Sequence, residues 1–98
     1  MSNMIDLTVV LTANDSSSVP LLRDLLKQQA TLSRLEPGCV RFEVYESSTV
    51  PDTFILIERW ESQQALDVHR TALGFTTVYA PRVLPLVSRV AHVCRSID

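Results

Sequence analysis

Apolar and polar positions alternate with the period of a β-strand in four parts of the chain. In the first of these, Ile5, Leu7, Val9 and Leu11 occupy every second position, which predicts a strand with one apolar face. The other three are 39–46, 53–60 and 87–95. Both faces of the segment 53–60 are largely apolar, and this indicates a strand that is buried on both sides.

Helical spacing replaces this alternation in two places. A first helix is predicted after the polar loop 14–18, with Pro20 in its first turn and with Pro37-Gly38 as its stop. Its apolar stripe consists of Leu21, Leu22, Leu25, Leu26, Ala30, Leu32 and Leu35. A second helix is predicted from Ser62 to about residue 73, where Gly74 breaks it. A short helical piece over about 75–84, interrupted by Pro81, follows.

The element order is therefore β-α-β-β-α-β, which predicts an α+β, ferredoxin-like fold with a four-stranded antiparallel sheet. Right-handed crossovers place both helices on one face of this sheet. The other face then has no cover within one chain, although the third strand is apolar on both sides. We expect a second copy of the chain to cover it, which predicts a homodimer through the sheet face.

Length and composition predict one domain, 1–98, and limit the classes of partner. A net charge of -2 without a Lys/Arg cluster argues against nucleic acid. No apolar run reaches the ~20 residues that cross a bilayer, and no signal peptide is visible, so we expect no membrane partner and a cytoplasmic protein. Cys39 and Cys94 lack metal-ligand spacing and are expected to be buried free thiols.

The chain lacks the sequence patterns of several common catalytic sites. With 2 Gly it cannot form a glycine-rich phosphate loop. No His/Cys/Asp/Glu group has metal-ligand spacing, and no nucleophile elbow is present. We therefore expect no metal and no cofactor, and an enzyme built on this chain would need a cofactor-free pocket for a small-molecule substrate.

One segment, 36–75, combines a turn, a hairpin and a helix in a recognisable order. Its residues are Glu36-Pro37-Gly38-Cys39, Arg41-Phe42, Val44, Phe54, Glu58, Trp60, Ser62, Ala65-Leu66, His69 and Phe75. This order resembles the antibiotic biosynthesis monooxygenase family of small dimeric α+β barrels. The resemblance implies a dimeric barrel and cofactor-free oxidation of an aromatic polyketide or quinol. Other relatives isomerise a phosphorylated sugar fragment or degrade haem.

The resemblance also implies a set of site residues. Trp60 matches a tryptophan whose indole N–H holds a substrate oxygen, and His69 matches a helix histidine suited to proton transfer. These two are the candidate catalytic residues. The predicted pocket residues are Phe75, Tyr79, Leu56 and Glu58. Glu58 lies on the Trp60 side of its strand, where it could orient a His or an Arg, or pair with Arg41 or Arg59 across the hairpin.

Some positions depart from the pattern of active relatives. Leu56 replaces an asparagine of the quinone-forming enzymes, and Gly74 replaces a second histidine. The haem-degrading branch has a tryptophan where this chain has His69, and an iron-ligating histidine where it has Tyr79, which argues against haem. The preferred hypothesis is a cofactor-independent monooxygenase of small aromatic or quinol-type compounds.

Two alternatives remain open. One is an isomerase of a small carbonyl metabolite, with His69 as the proton-transfer group. The other is a non-catalytic dimeric module that binds small molecules. An enclosed cavity beside Trp60 and His69 with convergent polar groups would favour an enzyme. A filled interior with an exposed His69 would favour a binding or structural role.

Overall fold

A computed structural model describes residues 3–98 as a four-stranded antiparallel sheet with the helices packed on one face. The elements are β1 (Ile5–Ala13), α1 (Val19–Arg34), β2 (Cys39–Glu46), β3 (Thr53–Trp60), α2 (Gln63–His69), α3 (Gly74–Val83) and β4 (Val87–Cys94). The strand order is β2-β3-β1-β4, and every neighbouring pair is antiparallel. The predicted ferredoxin-like fold is therefore confirmed.

Both ends of α1 follow the local signals. A 3₁₀ turn precedes the helix, and the Asp15 carboxylate accepts the backbone N–H of Ser17 at its start. Pro20 lies in the first turn, where no intrahelical donor is needed. Beyond the helix, Gly38 has a φ of 82°, and a Cβ there would come within 2.6 Å of the Ala65 Cβ. Gly38 thus lets this turn pack directly against α2.

The second helical region is less regular than predicted. Ser62 caps α2 as expected by accepting the Ala65 N–H, but α2 ends at His69 instead of near residue 73. The hydroxyl of Thr71 donates to the Val68 carbonyl, a local bond that competes with continuation of the helix. Contrary to the prediction, Gly74 does not break a helix but is the first residue of α3, a π-helical segment that contains Pro81.

Gly74 brings α3 close to α1. A Cβ at this position would lie 3.3 Å from the Leu32 Cβ and 3.4 Å from the Ser33 Oγ. A side chain at residue 74 would therefore require Leu32 to shift by a few tenths of an ångström.

The two faces of the sheet differ sharply. The helix-covered face is buried and includes Leu7, Val9, Leu11, Phe42, Phe54, Leu56 and Trp60. The opposite face, here called the open face, is not covered by any element of residues 3–98. A row of apolar neighbours crosses all four strands on it: Tyr45, Ile55, Val10 and Val90. Tyr45 and Val90 are 49% and 54% exposed.

The cysteine prediction holds in part. Cys39 is half-buried, and burial raises the pKa of its thiol. Cys94 is exposed, so the expectation of two buried thiols is wrong. Cys94 ends the edge strand β4 opposite Asp6, beyond the cover of the helices. Within residues 3–98, no helix combines the length and apolar character needed to cross a membrane.

Candidate functional site

His69 lies inside an aromatic cluster at the end of α2. It is 4% exposed, and its ring stacks on Trp60 with the ring centroids 4.3 Å apart and an interplanar angle of 33°. Phe42 and Phe75 flank the imidazole at centroid distances of 5.9 and 5.7 Å. The imidazole is therefore held in place by its neighbours and is shielded from bulk water.

A carboxylate lies on one side of this imidazole. The Nδ1 atom of His69 is 2.8 Å from Oε1 of Glu36, and the two side chains are 5% and 11% exposed. Glu36 belongs to the turn between α1 and β2. Its second oxygen, Oε2, is buried and has no hydrogen-bond partner among residues 3–98.

A second carboxyl group, that of Glu58, lies two residues before Trp60 on the same face of β3. The indole Nε1 of Trp60 donates to Oε1 of Glu58 at 3.0 Å. Glu58 is 6% exposed, and burial raises the pKa of its carboxyl, although the Trp60 hydrogen bond and the nearby His69 oppose this shift. The side chain is thus directed into the helix layer. Arg41 and Arg59 lie on the open face and pair with Glu43 and Asp6.

Tyr79 of α3 and Arg89 of β4 form a polar pair nearby. The Nε of Arg89 donates to the Tyr79 hydroxyl oxygen at 2.8 Å. Burial raises the pKa of Tyr79, while the charge and the hydrogen bond of Arg89 oppose that shift. Because the hydroxyl accepts from Arg89, its own proton is free to be donated elsewhere.

These groups meet at a small, partly open cavity of about 20 Å³. Its lining consists of Leu7, Gln29, Glu58, Leu66, His69, Arg70, Phe75, Tyr79 and Arg89. This volume holds about one water molecule. Gln29 Oε1 is buried without a partner among residues 3–98, so a water in the cavity has an acceptor to satisfy. The cavity contains convergent polar groups, as an enzyme requires, but the interior is nearly filled.

Four of the predicted site residues line this cavity: His69, Glu58, Phe75 and Tyr79. Trp60 and Leu56 do not. Trp60 lies behind the cavity, fully buried, with its N–H given to Glu58, and Leu56 is a core residue further along β3. The structure thus assembles most of the predicted set around one point.

Sequence reasoning missed Glu36, Gln29 and Arg89. Glu36 opens the turn motif, but no local pattern shows that its side chain reaches a histidine 33 residues later. Arg89 carried a detectable signal. It shares a sheet face with Val87, because Leu11 and Ala13 pair with Arg89 and Val87 in the β1–β4 register. A charged residue at an inward position of a strand indicates a polar partner.

Comparisons with known proteins agree with this architecture. The family model described as "Antibiotic biosynthesis monooxygenase" matches residues 15–80. The chain is 36% identical over 72 residues to "Putative monooxygenase Rv0793" of Mycobacterium tuberculosis, which covers 74% of this chain and 69% of that protein. The solved structure of Rv0793 superposes with a TM-score of 0.86, at 27% identity, covering 97% of this chain and 96% of that chain.

Two further proteins are similar to this chain. A Synechocystis protein of uncharacterised function, sll1783, is 43% identical over 37 residues, which span 38% of this chain and a quarter (25%) of that protein. The structure of SnoaB from Streptomyces nogalater, described as a cofactor-independent oxygenase, has a TM-score of 0.84 at 13% identity. It covers 99% of this chain and 96% of that chain, and at this identity it shows the shared fold alone.

Proposed function

Because the chain belongs to the antibiotic biosynthesis monooxygenase family, we propose that it is a cofactor-independent monooxygenase acting on a small aromatic, quinol-type compound. One observation carries the proposal: the buried side chains of His69, Glu58 and Tyr79 meet at one cavity, with a carboxylate behind the imidazole. The monooxygenase name of Rv0793 and the description of SnoaB support the reaction class.

The proposed reaction needs O₂ and an electron-rich phenol with a hydrogen on the carbon to be oxygenated. His69 takes the phenolic proton, and the phenolate passes one electron to O₂. The aryloxyl radical and superoxide then combine to form a C–O bond, and the resulting peroxide loses water. The balance is one phenol plus O₂ giving one quinone plus H₂O, so all the electrons come from the substrate. The protein's tasks are orientation, proton transfer and anion stabilisation.

Tyr79 and Arg89 would stabilise the phenolate oxygen in this reaction. The Tyr79 hydroxyl has a free proton, and Arg89 holds that hydroxyl and brings a positive charge beside it. Fixed donors in a dry site stabilise a developing anion more strongly than water does. Glu58, whose pKa is raised by burial, lines the same cavity and contributes a further polar group to it.

The role proposed for Trp60 differs from the one that the sequence resemblance implies. Its indole N–H is engaged with Glu58, and its ring supports the His69 ring at 4.3 Å. We propose that Trp60 orients these two groups and that it does not itself hold the substrate. Leu56 contributes to the apolar floor beneath them. A substrate larger than water would enter by displacement of the Phe75 and Tyr79 side chains on α3, a gating step of the kind that active-site lids perform.

We also propose that the protein is a homodimer joined through the open face. The apolar row Tyr45–Ile55–Val10–Val90 crosses all four strands, and no element of residues 3–98 covers it. A contiguous exposed apolar patch is typical of an interaction surface. A second copy presents the same row to it and closes a two-sheet barrel.

The nearly filled interior favours a second candidate, the non-catalytic dimeric module that binds small molecules. In that case the Glu36–His69 and Glu58–Trp60 contacts would serve packing alone. Turnover separates the two candidates, because a module of this kind consumes no oxygen.

The test is oxygen consumption with a panel of hydroquinones and anthrone-like phenols. We expect turnover by the wild type and a loss of about 10²–10⁴-fold in His69→Gln, which removes the base. Glutamine is preferred to alanine because His69 is buried between rings, and alanine would leave a void. His92→Gln is the matched control, since His92 lies on the open face of β4, opposite the cavity. Full activity of His69→Gln, or no turnover of any panel member by the wild type, would refute the proposal.

A further inference from the structure

We propose that Glu36 is a positioning residue that fixes His69 as its Nδ1–H tautomer and so makes Nε2 the proton acceptor. The tautomer can be tested without any substrate. Its importance for turnover rests on the proposed function above. Neither the sequence pattern nor the family comparison assigns a role to Glu36.

The contact between the two side chains supports this assignment. Nδ1 and Oε1 lie 2.8 Å apart, and both side chains are about nine-tenths buried. A neutral imidazole has one N–H, and an ionised carboxylate can only accept. The hydrogen bond therefore places the proton on Nδ1 and leaves the Nε2 lone pair available. Since His69 lines the cavity, its imidazole borders the space that the proposed function assigns to the substrate.

The backbone around Glu36 holds this geometry firmly. The Glu36 N–H donates to the Ser33 carbonyl at 3.1 Å, and the Glu36 carbonyl accepts from the Cys39 N–H at 3.2 Å. The carbonyl of Gly38 accepts from the Glu61 N–H at 2.8 Å, which ties the turn to the end of β3. The turn therefore has little freedom to withdraw the carboxylate.

Rotation of the imidazole is also restricted. Trp60 covers one face of the ring, and Phe42 and Phe75 pack around it. A ring flip that exchanged Nδ1 with a carbon would break the Glu36 hydrogen bond inside a packed cluster. Packing and the carboxylate thus select the same orientation.

Stability alone does not account for a carboxylate at residue 36. Its Oε2 is buried and has no partner among residues 3–98, and such a group is costly to bury. An uncharged acceptor could make the Nδ1 contact with a smaller desolvation cost. A carboxylate accepts a hydrogen bond from Nδ1 but cannot donate one, so it excludes the Nε2–H tautomer of His69. An amide can donate to Nδ1 and therefore permits both tautomers.

The test is ¹⁵N NMR of the two histidines at a pH where both imidazoles are neutral. The two ring nitrogens of a neutral imidazole differ clearly in ¹⁵N shift when one carries the proton. The chain contains 2 His, so His92→Gln assigns the spectrum by leaving His69 as the single imidazole. We expect His69 to be the Nδ1–H tautomer in the wild type and a tautomer mixture in Glu36→Gln. Glu61→Gln, at an exposed glutamate, should leave both signals unchanged.

An Nε2–H tautomer of His69 in the wild type would overturn the proposal, and so would an unchanged tautomer in Glu36→Gln. The wild-type spectrum alone decides this if the variant fails to fold. On a substrate that the wild type turns over, we expect Glu36→Gln to lower kcat about a hundredfold with little change in KM. A kcat equal to that of the wild type despite a changed tautomer would refute the positioning role. Absence of wild-type turnover would refute the monooxygenase and leave the tautomer result intact.

Discussion

The two faces of β3 carry residues of similar hydrophobicity but have different environments. On the helix-covered side, Trp60 and Glu58 are buried within the chain and belong to the candidate site. On the open side, Ile55 and Ile57 are half-buried, and Arg59 pairs with Asp6 at 2.6 Å. Alternation at a period of two puts these groups on opposite sides of one strand. A single strand therefore supports both the internal site and the proposed dimer interface.

The difference between the faces shows that hydrophobicity alone does not define the core of this chain. The aromatic rings and the buried carboxyl lie where the helices enclose them. Ile55, Ile57 and Val10 lie on the open face, which no element of residues 3–98 covers. Substitutions on one strand can thus separate folding of the chain from its assembly.

The largest effect is expected from Trp60→Ala. Trp60 is fully buried and contacts both His69 and Phe42, so its removal leaves a large cavity. We expect the free energy of unfolding to fall by about 3–5 kcal/mol. Urea denaturation measures this. Val90→Ala on the open face is the control, measured at a protein concentration at which the chain is monomeric. It should cost less than about 1 kcal/mol there, because Val90 is half exposed in the single chain. Equal losses in the two variants would contradict the assignment of the faces.

The next largest effect is expected from Ile55→Glu, which acts on assembly. Ile55 pairs with Tyr45 and Val10 in the middle of the apolar row. A dimer would bury an unpaired carboxylate there from each copy, so we expect the dissociation constant to rise at least about a hundredfold. Sedimentation velocity checks this, with Ile55→Leu as the apolar control. A wild type that is monomeric at micromolar concentration would show that the open face is not a dimer interface.

The fold was predictable where the local signals were strong. The predicted bounds of β2 and β3, 39–46 and 53–60, agree with the structure. Pro37-Gly38 and the polar loop 47–52 delimit those strands, and the alternation within them is regular. The start of α2 at Ser62 and a helical segment near 75–84 were predicted, but the C-terminal end of α2 and the π-helical form of α3 were not predictable from periodicity. They depend on the Thr71 hydrogen bond and on the close packing of Gly74 against α1.

The sequence predicted which residues form the candidate site better than it predicted the contacts between them. His69 and Glu58 were identified, and both line the cavity. Their partners were not, because the Glu36–His69 contact joins residues 33 positions apart and depends on how the turn packs. Similarly, the Tyr79–Arg89 pair forms where α3 meets β4, and their relative placement follows from the tertiary fold.

A smaller effect, on the pH dependence of stability, is expected from Glu58→Gln. Burial raises the pKa of Glu58 in the folded state above the ordinary value of 4.5. Between these two pKa values the native state binds more protons than the unfolded state. The contribution of Glu58 to the free energy of unfolding is therefore largest below its pKa in the unfolded state. It declines as pH rises through its pKa in the folded state. Glutamine removes that decline and keeps an oxygen for the Trp60 N–H.

Urea unfolding of wild type and Glu58→Gln between about pH 4 and pH 8 tests this directly. We expect the variant to gain stability relative to the wild type as pH rises. Glu61→Gln, at an exposed carboxylate, is the control and should track the wild type. A stability difference between Glu58→Gln and wild type that is constant with pH would show that Glu58 titrates as an ordinary surface group.

The smallest effect is expected from Asp6→Asn, and its size depends on whether the open face is covered. The Asp6 and Arg59 side chains are 29% and 44% exposed in the single chain, where such a pair contributes about 0.2–1 kcal/mol. If a second copy covers this face, Asp6→Asn would leave Arg59 without its partner and without water, and the free energy of unfolding would fall further.

We therefore expect Asp6→Asn to lower the free energy of unfolding more in the wild-type background than in the monomeric Ile55→Glu background. Urea unfolding of the four proteins gives this difference as a double-mutant cycle. Equal costs in both backgrounds would place the Asp6–Arg59 pair outside the dimer interface.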